Sequence, residues 1–171
     1  MNLQFNKDKT VLLEDVRIVY RNFAGKEGAY NREGDRSFSV VLDDKSADQM
    51  TADNWNVKTK PPREEGEDPF HTLPVAVSFK GRAPRIVLIS SISRKRTELN
   101  EETCVMIDYS DILGVDLIIR PYDWSVNGNS GRKAYLKTIY VTINEDYLDL
   151  KYSSDRFEAD DEEILNEDYE E

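Results

Sequence analysis

The sequence predicts an all-β, mainly antiparallel barrel with one short helix, long loops and an acidic, disordered C-terminal tail. Three observations lead there. At least seven short runs of β-branched and aromatic residues recur between clusters of Gly, Pro, Asn and Asp. Several of these runs alternate apolar and polar residues at period two, as a strand with one face in a core must. Residues 155–171 hold ten acids and one base, so they repel one another and belong in solvent. The expected organisation is one domain over 1–154 and a tail over 155–171.

In chain order, Val11 to Tyr20 is the first strand, with Val16, Ile18 and Tyr20 at period two. A basic, turn-rich segment runs from Arg21 to Arg36 and carries Gly25, Gly28 and Gly34. Ser37 to Leu42 is the next strand, with Phe38, Val40 and Leu42 at the same period. Asp43 or Asp44 caps a short helix to about Ala52, because a carboxylate there accepts from the free N–H groups of the first turn. Ala47 and Met50 are spaced for one face of that helix. Trp55 to Lys58 is a short strand candidate, and Pro61 to Pro69, with three prolines and four acids, is an exposed loop. Val75, Val77 and Phe79 alternate, Ile86 to Ile89 is continuously apolar, Val105 and Ile107 precede a turn, and Val115, Leu117 and Ile119 alternate into Pro121. Trp124 and Val126 then lead through Asn127-Gly128-Asn129-Ser130-Gly131 into the long run Arg132 to Ile143, a hairpin. That run is apolar on both parities, Leu136 and Tyr140 against Ile139, Val141 and Ile143, and a bulge near Thr138 reconciles them. Regular alternation assigns Phe38, Phe79 and Tyr140 to the core.

The inventory excludes several chemistries. With one histidine and one cysteine in the chain, a Cys/His metal cluster cannot form. His71 is read as a surface or loop residue and Cys104, in an apolar run, as a small buried hydrophobe. No phosphate-binding glycine loop and no Gly-x-Ser-x-Gly elbow is present, so neither an enzyme nor a cofactor is expected. The one catalytic alternative is a metal-dependent nuclease built on Asp108, Asp111 and Asp116, whose spacing matches no ligand motif. No apolar run approaches bilayer length and the chain opens without a signal sequence, so a cytoplasmic protein with no membrane partner is expected.

The chain carries 34 acids and 23 bases, a net charge of -11. Setting aside the tail leaves 24 acids and 22 bases in residues 1–154, a nearly neutral body whose bases are free to cluster. Three segments do so beside aromatic residues or without opposing acids. The first offers Arg21, Phe23, Lys26, Tyr30 and Arg36; Trp55, Lys58 and Lys60 follow. The second, residues 80–96, offers Lys80, Arg82 and Arg94 and contains no acid. The third offers Tyr122, Trp124, Lys133, Tyr135 and Lys137. Bases that meet phosphates and rings that stack on unpaired bases suit single-stranded nucleic acid. Phe23, Tyr30, Trp55, Tyr122 and Trp124, beside turn residues, fit either a core or a stacking role. A protein-interaction domain or DNA mimic, with the tail and the acidic loop Glu64 to Asp68 imitating phosphates, is the other non-catalytic alternative.

The chain resembles phage-encoded single-stranded DNA-binding proteins with an OB fold. The matching residues are Arg21-Asn22-Phe23-Ala24-Gly25, Tyr30 to Phe38, Asn54-Trp55-Asn56-Val57-Lys58 and Pro121 to Gly128, together with the acidic tail. The resemblance implies an OB-fold barrel that binds single-stranded DNA in its groove, in the host cytoplasm. It further implies a tail that recruits replication or recombination proteins and competes with DNA. Many such tails end in a hydrophobic residue, whereas this one ends Tyr169-Glu170-Glu171, leaving Ile164-Leu165 or Tyr169 as an internal anchor. Homo-oligomerisation stays open.

Overall fold

The computed structural model describes residues 1–145, so the tail and the boundary at residue 154 lie outside the described residues. Its elements are β1 (Asn2–Phe5), β2 (Val11–Asn22), β3 (Arg36–Leu42), α1 (Asp44–Ala52), β4 (Lys58–Lys60), β5 (Phe70–Val77), β6 (Arg85–Ser90), β7 (Arg96–Leu99), α2 (Met106–Tyr109), β8 (Ile112–Val126) and β9 (Asn129–Ile143). Strands β5, β3, β2, β8 and β9 pair in that order. A short parallel contact, Val75 with Ala134 and Ala76 with Tyr135, joins β9 back to β5 and closes the ring. The result is the OB-fold-like barrel that the resemblance implies. β4 edges β5, while β6 continues the sheet along β9 and carries β7.

Closure depends on bending β2, whose first half pairs with β8 and whose second half pairs with β3. Its register shifts twice, between Leu13 and Val16 and between Val19 and Asn22, and Asp15 and Tyr20 in these gaps have positive φ. Each bulge adds twist, which a small barrel needs. Val16 and Ile18 point into the core as their period predicts, but the second bulge turns Tyr20 outward, 58% exposed. On β9 the expected bulge is present: Ile118 pairs with Thr138 and Ile119 with Leu136, which leaves Lys137 as the extra residue. Leu136 before it and Ile139 and Val141 after it are all buried.

The helix α1 starts where its carboxylate cap predicts, with Asp43 accepting from the Ser46 N–H at 2.7 Å and Ala47 and Met50 buried. Other elements depart from expectation. Val105 and Ile107 belong to the single-turn α2 and its cap, not to a strand. The edge strands β1 and β7 have four residues each, too short for an alternation to stand out in the sequence. The strand expected at Trp55 to Lys58 begins only at Lys58, because Trp55 makes an isolated bridge to Arg132. His71 lies within β5, where its ring joins Thr59 of β4 at 2.8 Å to Asp44 of α1 at 2.9 Å. Cys104 is buried as expected and donates to the Phe23 carbonyl; burial pushes its thiol pKa up.

Candidate nucleic-acid interface

The outer face of β3 and β5 is built from small residues. Phe38, Val40 and Leu42 on β3 and Leu73, Val75 and Val77 on β5 fill the barrel. The alternate positions therefore face out, pairing Ser37 with Ala76 and Ser39 with Pro74. Above this floor opens a cleft of about 770 Å³. Arg36, Lys58, Lys80 and Lys133 stand around it against Asp35 and Glu101, with Phe79 and Tyr135 supplying aromatic walls. The Arg36 guanidinium lies 5.4 Å from the Phe79 ring centre and bonds Glu101 at 3.3 Å. Its Nε is buried without a hydrogen-bond partner. Phe79 packs half-buried against the core, as its alternation predicts, and beyond the end of β5 at Val77 it also forms a wall of the cleft, a role that sequence reasoning missed.

The hairpin of β8 and β9 rises from one end of the cleft as a two-stranded arm. Its two-residue turn, Asn127 and Gly128, has positive φ at both positions, so pairing resumes at Asn129 and the strands run on without a loop. Directly opposed pairs, Arg120 with Tyr135, Tyr122 with Lys133 and Trp124 with Gly131, place three aromatic rings and two bases on one face. Tyr122 and Tyr135 meet edge to face at 6.1 Å, and the Lys133 and Arg120 cations lie 5.1 Å and 5.4 Å from the Tyr135 ring centre. Trp124 lies across Gly131, where an added Cβ would sit 2.6 Å from the indole and 2.3 Å from Asn56 Oδ1. Gly131→Ala is therefore expected to destabilise the fold by about 1–3 kcal/mol, the usual range for overpacking. A urea melt checks this; an unchanged midpoint would mean the arm is not packed as described.

The remaining candidates are placed as follows. Phe23 is fully buried, stacked on Phe38 at 5.3 Å, because Asp108 accepts the backbone N–H groups of Phe23 and Ala24 and folds that turn inward. Trp55 is 3% exposed beneath Arg132 and donates to Asp53. Neither ring reaches the surface that stacking requires. Arg21 spends its guanidinium on the Ile107 and Ser110 carbonyls, which ties β2 to α2. Lys26 donates to the Tyr109 hydroxyl at 2.8 Å, a bond that raises its pKa, while Tyr30 stands fully exposed on the loop between β2 and β3. Lys60 reaches Tyr20. Arg82 and Lys137 line a separate hollow of about 270 Å³ with Arg120 and Asp8. Arg94 sits in the turn between β6 and β7, at the opposite end of the sheet from β4. The cleft and arm thus gather Arg36, Lys58, Lys80, Tyr122, Trp124, Lys133 and Tyr135.

The carboxylates of the nuclease alternative are each engaged elsewhere: Asp108 as above, Asp116 with the Asp15 N–H, and Asp111 with Asn144. Among the described residues no three His, Cys, Asp or Glu side chains come together to hold a metal ion. None of the helices among the described residues is long and apolar enough to cross a membrane.

Fold and cleft together define an OB-type barrel with a basic, aromatic-walled groove across two of its strands. The chain matches the family model described as "Putative phage ssDNA-binding domain" over residues 2–171 and belongs to that family. Its fold is similar to the single-stranded DNA-binding protein from bacteriophage Enc34 in complex with ssDNA, at 13% identity and a TM-score of 0.55 over 85% of this chain and 92% of that one. A C-terminal truncation of the Enc34 protein is similar at 14% identity and a TM-score of 0.52, over 85% and 91% of the two chains. The comparison with curated proteins finds no match.

Proposed function

We propose that the protein binds single-stranded DNA without sequence preference and without catalysis, along the cleft over β3 and β5 and up the hairpin arm. The observation that carries this reading is the continuity of the cleft bases with the ring-bearing face of the arm. Lysines beside a floor of small residues let a phosphate backbone approach closely, and half-exposed rings offer faces to any base. Arg36, which lines the cleft beside Phe79, supports a phosphate contact at the wall. In the phage such binding protects and organises single strands during replication and recombination. The tail of residues 155–171 competes with DNA for the basic cleft and recruits replication or recombination proteins.

The test is a titration of fluorescent oligo-dT at several salt concentrations, with the full chain and with a chain ending at residue 154. Four cleft cations predict a fall of log affinity against log salt with a slope of about 3, at roughly 0.7 per phosphate on single strands. A flat salt response would overturn the proposed binding mode. The shortened chain is expected to bind more tightly at low salt, where ten acids compete best. Equal or weaker binding would remove the competition role.

A further inference from the structure

We propose that Tyr20 and Lys60 form an additional nucleotide subsite at the end of the β3–β5 face away from the arm, with Tyr20 as a base-stacking ring and Lys60 as its phosphate partner. The proposal rests on the single-strand reading above and extends the strand's path across the whole face. In the sheet β3 and β5 lie between β2, which carries Tyr20, and β4, which carries Lys60. The Tyr20 hydroxyl nevertheless accepts from Lys60 Nζ at 3.1 Å, and the same cation lies 5.1 Å from the Tyr20 ring centre. The two side chains must therefore meet outside the barrel, over the outward residues of the strands between them. Ser39 and Thr72, outward positions on those strands, are 8% and 5% exposed.

Three features suit this pair to a nucleotide. The Tyr20 ring is more than half exposed, so one face is open to a base. Lys58, on the same short strand as Lys60, lines the cleft, so the two lysines continue its row of cations. Tyr20 also holds a positive φ of 53° in the β2 bulge, a conformation that non-glycine residues adopt rarely and that turns this ring out of the core. A strand leaving the cleft past Lys58 would exchange the bond between Tyr20 and Lys60 for a stacked base and a paired phosphate.

The experiment is an oligo-dT length series titrated against the full chain, Tyr20→Ala, Tyr20→Phe and Lys60→Gln, with Tyr135→Ala as a reference and thermal melts for folding. Tyr20→Ala is expected to weaken binding about fivefold or more, but only for oligonucleotides long enough to pass beyond the cleft. Tyr20→Phe, which keeps the ring, should bind as the full chain does, and Lys60→Gln should lower the salt slope by about 0.7 on the long oligonucleotides alone. Tyr20→Ala affinities equal to those of the full chain at every length, while Tyr135→Ala binds weakly, would overturn the subsite and leave the cleft standing. No binding by the unaltered chain would instead remove the single-strand reading itself. If Tyr20→Ala melts early, Lys60→Gln still decides: a salt slope equal to that of the unaltered chain on the long oligonucleotides, or lowered equally on short and long ones, counts against the subsite.

Discussion

Phe23→Ala is expected to cost about 3–5 kcal/mol of folding stability, the range for deleting a buried aromatic ring. Phe23 is among the largest fully buried side chains, and its ring lies nearly parallel to Phe38 at 5.3 Å. Removing it leaves a cavity beside the β2–β3 loop, whose turn is held by two N–H bonds to Asp108 and cannot collapse freely. Against the 5–15 kcal/mol or so that holds a typical domain together, such a loss brings the barrel close to unfolding. A urea melt followed by tryptophan fluorescence measures it. The variant should also bind DNA poorly, yet in proportion to its unfolded fraction. Normal stability with weakened binding would return Phe23 to the surface role that its glycine-rich surroundings suggest.

That contrast shows which parts of the site could be read from the sequence. Strands whose alternation continues undisturbed, such as Val115, Leu117 and Ile119, were legible because burial follows parity. The β9 bulge was legible within one residue because it switches the apolar parity, from Leu136 to Ile139. The β2 bulge leaves no such trace: Tyr20 keeps the period of Val16 and Ile18, and only the left-handed backbone at that residue turns it outward. Val105 and Ile107 were misread because two positions are too few to establish a period: in the single turn they point to different sides, and only Ile107 is buried. For the site, proximity along the chain was a poor guide to proximity in space. Arg82 and Arg94 belong to the same basic run as Lys80, but the chain crosses from β5 to β6 there, and only Lys80 reaches the cleft. Tyr30 and Phe23 occupy one glycine-rich segment and end fully exposed and fully buried, because Asp108, far away in sequence, anchors the second alone.

Tyr135→Ala is expected to weaken oligo-dT binding by about 1–3 kcal/mol, roughly 5- to 150-fold, with little change in stability. Tyr135 stands where the cleft meets the arm, at the parallel contact that closes the barrel. Its backbone pairs with Arg120 and Ala76 whatever its side chain, so the strand survives the substitution. The ring, in contrast, organises its surroundings: Tyr122 meets it edge-on, and Lys133 and Arg120 lie over it. A base stacked there would have a cation on either flank to meet the adjoining phosphates, so the ring positions charge as well as supplying a face. Tyr135→Phe should therefore bind nearly as well as the unaltered chain, since the ring, not the hydroxyl, does this. Lys133→Ala should lower the salt slope by about 0.7 while leaving the stacking contribution in place. Equal affinities for Tyr135→Ala and Tyr135→Phe would show that the strand does not pass over this ring, and the path along cleft and arm would have to be redrawn.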